Sequence, residues 1–238
     1  MATKYPLIPI IAIVLINPSF LLAQSVSTIR YVALGDSYTI GTGASVDESW
    51  PSVLTRHLQK DCMAVKLAGN LARAGWTTQD VIDQQLPVYK TLKPTAASLL
   101  IGVNDWVQGV DAKTFQRHLK LIIDRILAEL PAPANEHFFI VTIPDFSVTP
   151  SGRLFYGGRD VASGVAEFNA IIKKEADDYQ IPVMDIFPLS KEMGQDPALL
   201  ASDGLHPSAL EYARWERMMY PHIFTLLKKC CLANEAVP

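Results

Sequence analysis

Strand-like and helix-like segments alternate along this chain, and the alternation constrains its fold more than any other feature of the sequence. A chain in which strands alternate with helices forms a parallel sheet covered by crossover helices. The sequence therefore predicts an α/β fold, a three-layer α/β/α sandwich built on a five-stranded parallel sheet. Short segments rich in apolar and β-branched residues predict the strands over 29–34, 64–68, 96–101, 138–143 and 183–186.

Apolar residues at helical spacing mark the segments between the strands. The spacing i, i+3, i+4, i+7 gives a helix one buried apolar face. Thr77 or Thr78 can cap the second helix, and Pro87 is expected to close or kink it, because proline lacks the N–H that a helix interior uses. The pattern predicts helices over 49–60, 77–86, 115–130, 161–179 and 208–229.

Composition limits both the fold class and the kind of partner. The chain has 238 residues, of which 49% are hydrophobic and 19% are charged, so it can bury the core of one domain. Its 21 basic and 24 acidic residues give a net charge of −3 and form no long run of one sign. Because nucleic-acid binding needs a clustered basic face, this pattern argues against a nucleic-acid partner.

The N-terminus differs in composition from the rest of the chain. Lys4 is followed by an almost wholly apolar stretch over 7–16, and Ala23 is a small residue suited to signal-peptide cleavage. The stretch is shorter than the roughly 18–20 residues that span a bilayer comfortably. We therefore predict a signal peptide over 1–23, a mature domain over 24–238 and a secreted or periplasmic protein. An uncleaved N-terminal membrane anchor is the alternative.

Four short motifs follow predicted strands, in an order that suggests a single site. The carboxyl ends of parallel strands meet at one edge of the sheet, where open α/β sheets bind their ligands. Together the motifs supply a nucleophilic hydroxyl, a base, an acid that orients the base and donors for an oxyanion, all of which acyl transfer requires. The motifs are Gly35-Asp36-Ser37-Tyr38, Gly75, Gly102-Val103-Asn104-Asp105 and Asp203-Gly204-Leu205-His206.

Ser37, His206 and Asp203 form the predicted catalytic set. A serine hydroxyl needs an adjacent base, and a neutral imidazole can take and return its proton near pH 7. Asp203 lies three residues before His206, close enough for its carboxylate to fix the imidazole tautomer. Taken singly, Ser37 reads as a turn serine and the other two as a helix cap and a surface histidine. Their combination favours catalysis.

With these motifs in this order, the chain resembles the SGNH, or GDSL-type, esterase and lipase family over about 30–229. The resemblance implies a strand order of 2-1-3-4-5, hydrolysis of carboxylic esters and no cofactor. Asn104 can offer its side-chain amide to an oxyanion, and the resemblance adds the backbone N–H groups of Ser37 and Gly75. Tyr38 departs from the family's usual motif, which has leucine at that position.

Apolar and aromatic side chains next to the motifs suggest a substrate pocket. We expect several of them to line an acyl or alcohol pocket, although any one of them can instead pack beneath a loop. The long aperiodic segment 146–159 has the character of a binding loop. Arg153 and Arg159 within it are candidates for contact with an anionic head group, with solvated surface arginines as the alternative. The pocket candidates are Tyr38, Trp76, Trp106, Phe146 and Leu205.

The three cysteines lie at the ends of the first and last long predicted helices. In the strand order implied by the resemblance, these helices pack on the same sheet face with their carboxyl ends adjacent. That order predicts a disulfide from Cys62 to Cys230 or Cys231, consistent with an exported protein. Three reduced thiols are the alternative. An odd number of cysteines leaves at least one unpaired within the chain.

These observations predict a serine hydrolase that cleaves carboxylic esters through an acyl-enzyme on Ser37. Short-acyl, aryl or lysophospholipid-like esters are the expected substrates, and a lipid-like substrate implies transient contact with a membrane surface. Deacetylation of a polysaccharide is the main alternative, and a non-catalytic lipid- or carbohydrate-binding module is a more distant one. Gly41-Thr42-Gly43 lacks the third glycine of a dinucleotide fingerprint, and no histidine or cysteine spacing typical of a metal site is present. The oligomeric state stays open.

Overall fold

The computed structural model describes residues 28–61, 63–155 and 157–233, with side chains up to Lys228. The predicted signal peptide and Cys62 lie outside the described residues, and so do the side chains of the two C-terminal cysteines. The signal peptide and the disulfide therefore stay predictions.

Five parallel strands form the sheet at the centre of the molecule. They are β1 (Ile29–Gly35), β2 (Val65–Asn70), β3 (Ala96–Leu100), β4 (Phe138–Val141) and β5 (Val183–Met184). Their order is β2-β1-β3-β4-β5, which confirms the predicted fold and the strand order implied by the resemblance. Almost every side chain of β1, β3 and β4 is buried, as expected for a parallel sheet covered on both faces.

Helices enclose the sheet on both sides. They are α1 (Ser37–Ile40), α2 (Trp50–Lys60), α3 (Thr78–Asp80), α4 (Leu86–Thr91), α5 (Val103–Val107), α6 (Ala112–Leu127), α7 (Val161–Asp178), α8 (Phe187–Ser190) and α9 (Ala209–Ala233). The main helix pairs are α2 with α9 and α6 with α7. Helix α6 begins three residues before the predicted 115 because Asp111 accepts the N–H of Thr114 (3.0 Å) and caps it. Within the described part of the chain, no helix is both long and apolar enough to cross a bilayer.

The helix predicted over 77–86 is longer than expected and is interrupted. Between α3 and α4 the chain forms a π-helical turn over Val81–Gln85, and the helix then resumes and ends at Thr91. The sequence predicts that Pro87 closes or kinks this helix. Pro87 does not close it, because the helix continues to Thr91. The N–H of Leu86 bonds the first carbonyl of the π turn, five residues back, and this wider turn accommodates a proline that a regular helix interior rejects.

Strands β4 and β5 end two residues earlier than predicted, because side chains take over their pairing. Asn169 on α7 is buried, donates its amide N–H to the carbonyl of Ile143 (2.8 Å) and accepts the N–H of the same residue (2.8 Å). The hydroxyl of Thr142 accepts the N–H of Ile186 (3.0 Å), so that β5 ends at Met184. Side-chain groups thus replace the strand ladder where the chain leaves the sheet.

The paired hydrogen bonds of Asn169 predict a large effect of its removal. In Asn169→Ala, the N–H and carbonyl of Ile143 are left buried without partners, so we expect the free energy of unfolding to fall by about 2–4 kcal/mol. Urea denaturation followed by circular dichroism measures this loss. Asn135→Ala is the matched control, since Asn135 makes one long hydrogen bond near the surface (3.3 Å). Equal effects of the two substitutions would contradict the assignment.

Candidate active site

The nucleophile candidate Ser37 stands where β1 turns directly into a helix. Gly35 ends the strand with φ +152°, and a Cβ at this position would lie 2.2 Å from the carbonyl oxygen of Leu100, so the turn needs glycine. The side chain of Gln85 accepts the N–H of Gly35 (3.0 Å) and donates to its carbonyl (2.6 Å). These contacts hold Ser37 as the first residue of α1, at the carboxyl edge of the sheet.

Asp36, next to the nucleophile candidate, caps α1 and is fully buried. Its Oδ1 accepts the N–H of Tyr38 (3.0 Å), and its Oδ2 has no hydrogen-bond partner among the described residues. Burial is the main reason that the pKa of Asp36 rises to about 8; the Tyr38 N–H lowers it and the charge of Asp105 raises it. The Asp36 carboxyl is therefore mostly protonated at neutral pH.

Asp203 and His206 form a close pair in the loop that precedes α9. Nδ1 of His206 lies 2.6 Å from Oδ2 of Asp203, whose Oδ1 accepts the N–H groups of Leu205 and His206, both at 2.9 Å. Burial opposes ionisation of Asp203, but these hydrogen bonds outweigh it and hold the pKa of the carboxyl below its usual value. An ionised Asp203 keeps a proton on Nδ1 of His206 and leaves Nε2 free to accept one.

A serine outside the motifs supports this loop. Ser151 donates its hydroxyl to the carbonyl of Asp203 (2.7 Å) and its N–H to the carbonyl of Gly204 (3.0 Å). Sequence analysis missed Ser151, because it lies 52 positions from Asp203 and nothing near it in the sequence indicates the contact.

The glycines of Gly41-Thr42-Gly43 have a structural role next to the same loop. Gly43 takes φ +99°, and a Cβ there would lie 2.6 Å from the carbonyl oxygen of Pro207 and 3.3 Å from Cβ of His206. The hydroxyl of Tyr212 donates to the carbonyl of Thr42 (2.9 Å). The segment after α1 therefore packs directly against the His206 loop. This close packing accounts for the glycine at position 43, and no nucleotide-binding role is needed to explain it.

Gly75, in the loop after β2, and Asn104, in α5, belong to two segments that are hydrogen-bonded to each other. The N–H of Trp76 donates to the carbonyl of Arg73 (3.3 Å) and closes a turn, in which Gly75 takes the positive φ (+83°) that favours glycine. Nδ2 of Asn104 donates to the carbonyl of Trp76 (2.8 Å). Because a side-chain amide carries two N–H groups, this bond leaves one donor of Asn104 for a substrate.

Asp105, also in α5, adds a second connection, to Thr78 at the start of α3. Its Oδ2 accepts the N–H of Thr78 (2.9 Å), and the hydroxyl of Thr78 contacts both Asp105 and Nδ1 of His118, the latter at 3.0 Å. Burial raises the pKa of Asp105, while the Thr78 hydrogen bonds oppose the rise. The segments of Gly75 and Asn104 are thus fixed relative to each other, as the oxyanion role predicted for them would require.

A narrow cleft contains both Ser37 and His206. Its free volume is about 50 Å³, which suits a few water molecules or a short acyl group. Three of the five predicted pocket residues line it, whereas Trp76 lies instead on a separate groove beside α1. The three are Tyr38, Phe146 and Leu205, and the further lining residues are Val103, Asn104, Val107 and Phe155.

Trp106, the fifth predicted pocket residue, is buried behind the cleft. Its ring packs edge-on against Phe146, with centroids 6.1 Å apart, and a Cβ on Gly164 would lie 1.8 Å from its Nε1, so α7 makes room for the ring. Arg159 places its guanidinium 4.1 Å from the ring centroid and donates to the carbonyls of Trp106 (2.7 Å) and Val107 (2.9 Å). These contacts occupy the guanidinium of Arg159, which argues against this candidate for contact with an anionic head group.

Sequence comparison agrees with this geometry. The sequence model of the GDSL-like lipase/acylhydrolase family matches residues 33–214, which is most of the chain and includes all four motifs. The chain belongs to this family. It is accordingly a carboxylic ester hydrolase. A search of curated proteins finds no match to the sequence.

Solved structures of similar fold include several esterases. A psychrotrophic esterase from Pseudoalteromonas sp. is 19% identical, with a TM-score of 0.65 over 84% of this chain and 98% of that one. A lipase/acylhydrolase from Enterococcus faecalis is 22% identical, with a TM-score of 0.63 over 83% and 96%. An acetyl xylan esterase from Geobacillus stearothermophilus is 18% identical, with a TM-score of 0.65 over 83% and 95%. At sequence identities of 18–22%, the similarity to these structures establishes the fold alone.

The raised pKa of Asp36 predicts how stability changes with pH. Because its folded-state pKa of about 8 exceeds its unfolded value near 3.9, the contribution of Asp36 to stability is complete below about pH 4 and is lost as pH rises through 8. Asp36→Asn cannot titrate, so we expect its free energy of unfolding relative to the parent to increase from pH 5 to pH 8 by about 2 kcal/mol or more. Urea denaturation at the two pH values measures the change. Asp47→Asn, at an exposed aspartate, is the control, and parallel pH profiles of D36N and the parent would contradict the prediction.

Proposed function

We propose that this ester hydrolase works through an acyl-enzyme on Ser37. His206 Nε2 takes the hydroxyl proton as Oγ of Ser37 attacks the ester carbonyl, and the carbonyl oxygen becomes an oxyanion. The N–H groups of Ser37 and Gly75 and the amide of Asn104 stabilise that charge. His206 then gives the proton to the leaving alcohol as the ester C–O bond breaks. Water attacks the acyl-enzyme by the same route and releases the acid and the free serine.

The contact that best supports this proposal is the 2.6 Å pairing of His206 with Asp203, in a loop whose histidine lines the same cleft as Ser37. The pairing selects the histidine tautomer that can act as a base toward Ser37. Asn104 lies on the same cleft and keeps one amide N–H for the oxyanion. A non-catalytic lipid- or carbohydrate-binding module would have no need of this combination.

Short-acyl or aryl esters are the substrates that we propose, because the cleft is small. Lysophospholipid-like esters remain within the proposal where the acyl chain can extend out of the cleft, and transient contact with a membrane surface would accompany them. Polysaccharide O-acetyl esterase activity is the second candidate. It is supported by the acetyl-sized cleft and by the similarity to an acetyl xylan esterase.

We also propose that the mature domain over 24–238 acts outside the cytoplasm after removal of 1–23, or stays attached to a membrane through it. The apolar stretch 7–16 and Ala23 support this proposal. A disulfide between Cys62 and one of the C-terminal cysteines would fit such a location. Mass determination of the exported protein, with and without reduction, distinguishes these forms.

Hydrolysis of p-nitrophenyl esters from acetate to laurate tests the reaction. We expect kcat/KM to be highest for acetate to butyrate and to fall for longer chains, because the cleft is short. Ser37→Ala should lose about 10³-fold or more of kcat while its circular dichroism spectrum stays unchanged. Ser52→Ala, at a partly exposed serine of α2 whose hydroxyl donates to the carbonyl of Val46 (2.8 Å), is the matched control and should keep full activity. Equal rates for Ser37→Ala and the parent would refute the acyl-enzyme.

Asp203→Asn tests the role of the acid. The amide cannot hold the imidazole in the same tautomer, so we expect kcat to fall by about 10³-fold or more with little change in KM. Asp196→Asn is the control, since the carboxylate of Asp196 accepts the N–H of Ala198 (2.9 Å) in a nearby turn. Activity of Asp203→Asn within tenfold of the control would show that His206 does not depend on Asp203.

A further inference from the structure

A second and larger depression lies beside the nucleophile, on the side of β2. Its volume is about 800 Å³, against about 50 Å³ for the cleft that holds Ser37 and His206. It adjoins the site through two of its lining residues: Ile40 is the last residue of α1, and the carbonyl of Trp76 accepts the amide of Asn104, which lines the cleft. We call it the β2 groove; its principal lining residues are Ile40, Leu71, Arg73, Trp76, Gln84 and Val88.

Two amide side chains on the floor of the β2 groove are already committed to the fold. Asn70 donates to the carbonyl of Thr39 (2.8 Å) and accepts the N–H of Ala72 (3.3 Å). Gln85 is buried and holds both backbone groups of Gly35. These amides fix the groove's shape and leave little capacity for hydrogen bonds to a ligand.

Arg73 is the one charged residue among those that line the β2 groove. It is exposed, and no carboxylate of the described residues lies within 4.0 Å of its guanidinium. The guanidinium carbon lies 5.5 Å from the centroid of the Trp76 ring. An unpaired cation over an aromatic face, in a chain of net charge −3, is a local feature suited to an anion.

The backbone of Arg73 belongs to the loop that carries Gly75. Its N–H donates to the carbonyl of Gly35 (3.4 Å), two residues before Ser37, and its carbonyl accepts the N–H of Trp76 (3.3 Å). The backbone of Arg73 is therefore tied to the end of the strand that leads into Ser37, and Arg73 itself lines the β2 groove.

We propose that the β2 groove binds the leaving alcohol of the substrate and that Arg73 selects alcohols carrying an anionic group, a phosphate or a carboxylate. The inference rests on the proposed acyl-enzyme reaction. A short acyl group fills the small cleft, so the larger part of the ester must lie outside it, and the β2 groove begins at the adjoining loop. Arg73 determines specificity in this arrangement and takes no part in the chemical steps.

Paired aryl acetates test this assignment. Phenyl acetate is compared with 4-acetoxybenzoate and with 4-acetoxyphenyl phosphate, which place a carboxylate or a phosphate on the alcohol side. Arg73→Gln should lower kcat/KM for the two anionic esters by about 5- to 20-fold, mainly through KM, and leave phenyl acetate unchanged. Arg73→Lys should restore part of the loss, since it keeps the charge without the planar fork. For each ester, the kcat/KM of the variant is divided by that of the parent, and this ratio cancels differences in leaving-group reactivity between the esters.

Arg125→Gln is the matched control, because Arg125 lies on α6 in a different surface groove. Raising the salt concentration to 0.5 M should reduce the parent's preference for anionic esters and leave Arg73→Gln unaffected. If Arg73→Gln loses kcat/KM on only one of the two anionic esters, the proposal is supported and the preferred anion is identified. Equal losses on neutral and anionic esters would overturn it, because they would indicate a structural role in the Gly75 loop.

A substrate with the anion on its acyl side separates the two depressions. If the hydrolysis of mono-4-nitrophenyl succinate depends on Arg73 and that of the anionic aryl acetates does not, the acyl group occupies the β2 groove and the assignment is wrong. Failure of the proposed reaction itself has a different signature. In that case the parent and Ser37→Ala would hydrolyse phenyl acetate equally, whatever residue stands at 73.

Discussion

Two hydrogen bonds between the side chain of Gln85 and the backbone of Gly35 decide where the candidate nucleophile Ser37 lies. They engage both polar groups of the last residue of β1, and the carbonyl of Gly35 also accepts the N–H of Arg73. The chain is thereby turned into α1 with Ser37 as its first residue. Gln85 itself lies in the π-helical turn, so this irregularity in the helix before β3 supplies the contact that positions the nucleophile.

The rest of the site is held by similar contacts between loops. Asn104 and Asp105 connect α5, which follows β3, to the segment after β2, and Ser151 connects the segment after β4 to the loop of Asp203. Each connection joins residues distant in the sequence and uses a backbone group of the partner loop. An arrangement fixed in this way needs little reorganisation when charge develops on the substrate, which is the source of oxyanion stabilisation in enzymes.

The surroundings of Ser37 are asymmetric. On one side a small apolar cleft reaches His206, and on the other the larger β2 groove carries a single charge, that of Arg73. Family membership establishes ester hydrolysis but does not distinguish between lipid-like and carbohydrate esters. The difference in volume and charge between the two depressions is therefore the physical basis for proposing a short acyl group joined to a larger, anionic alcohol.

The sequence by itself determined the fold class, and it predicted the candidate site residues and their meeting at one edge of the sheet. It could do so because strand–helix alternation forces a parallel sheet, and because motifs that follow parallel strands share one edge whatever the loops do. Only the tertiary structure decided that Trp106 packs against Gly164 behind the cleft, that Trp76 lines the β2 groove, that Ser151 and Gln85 support the site, and that Asn169 holds the end of β4. These outcomes depend on side-chain packing and hydrogen bonds between segments far apart in the chain, for which local sequence patterns carry no signal.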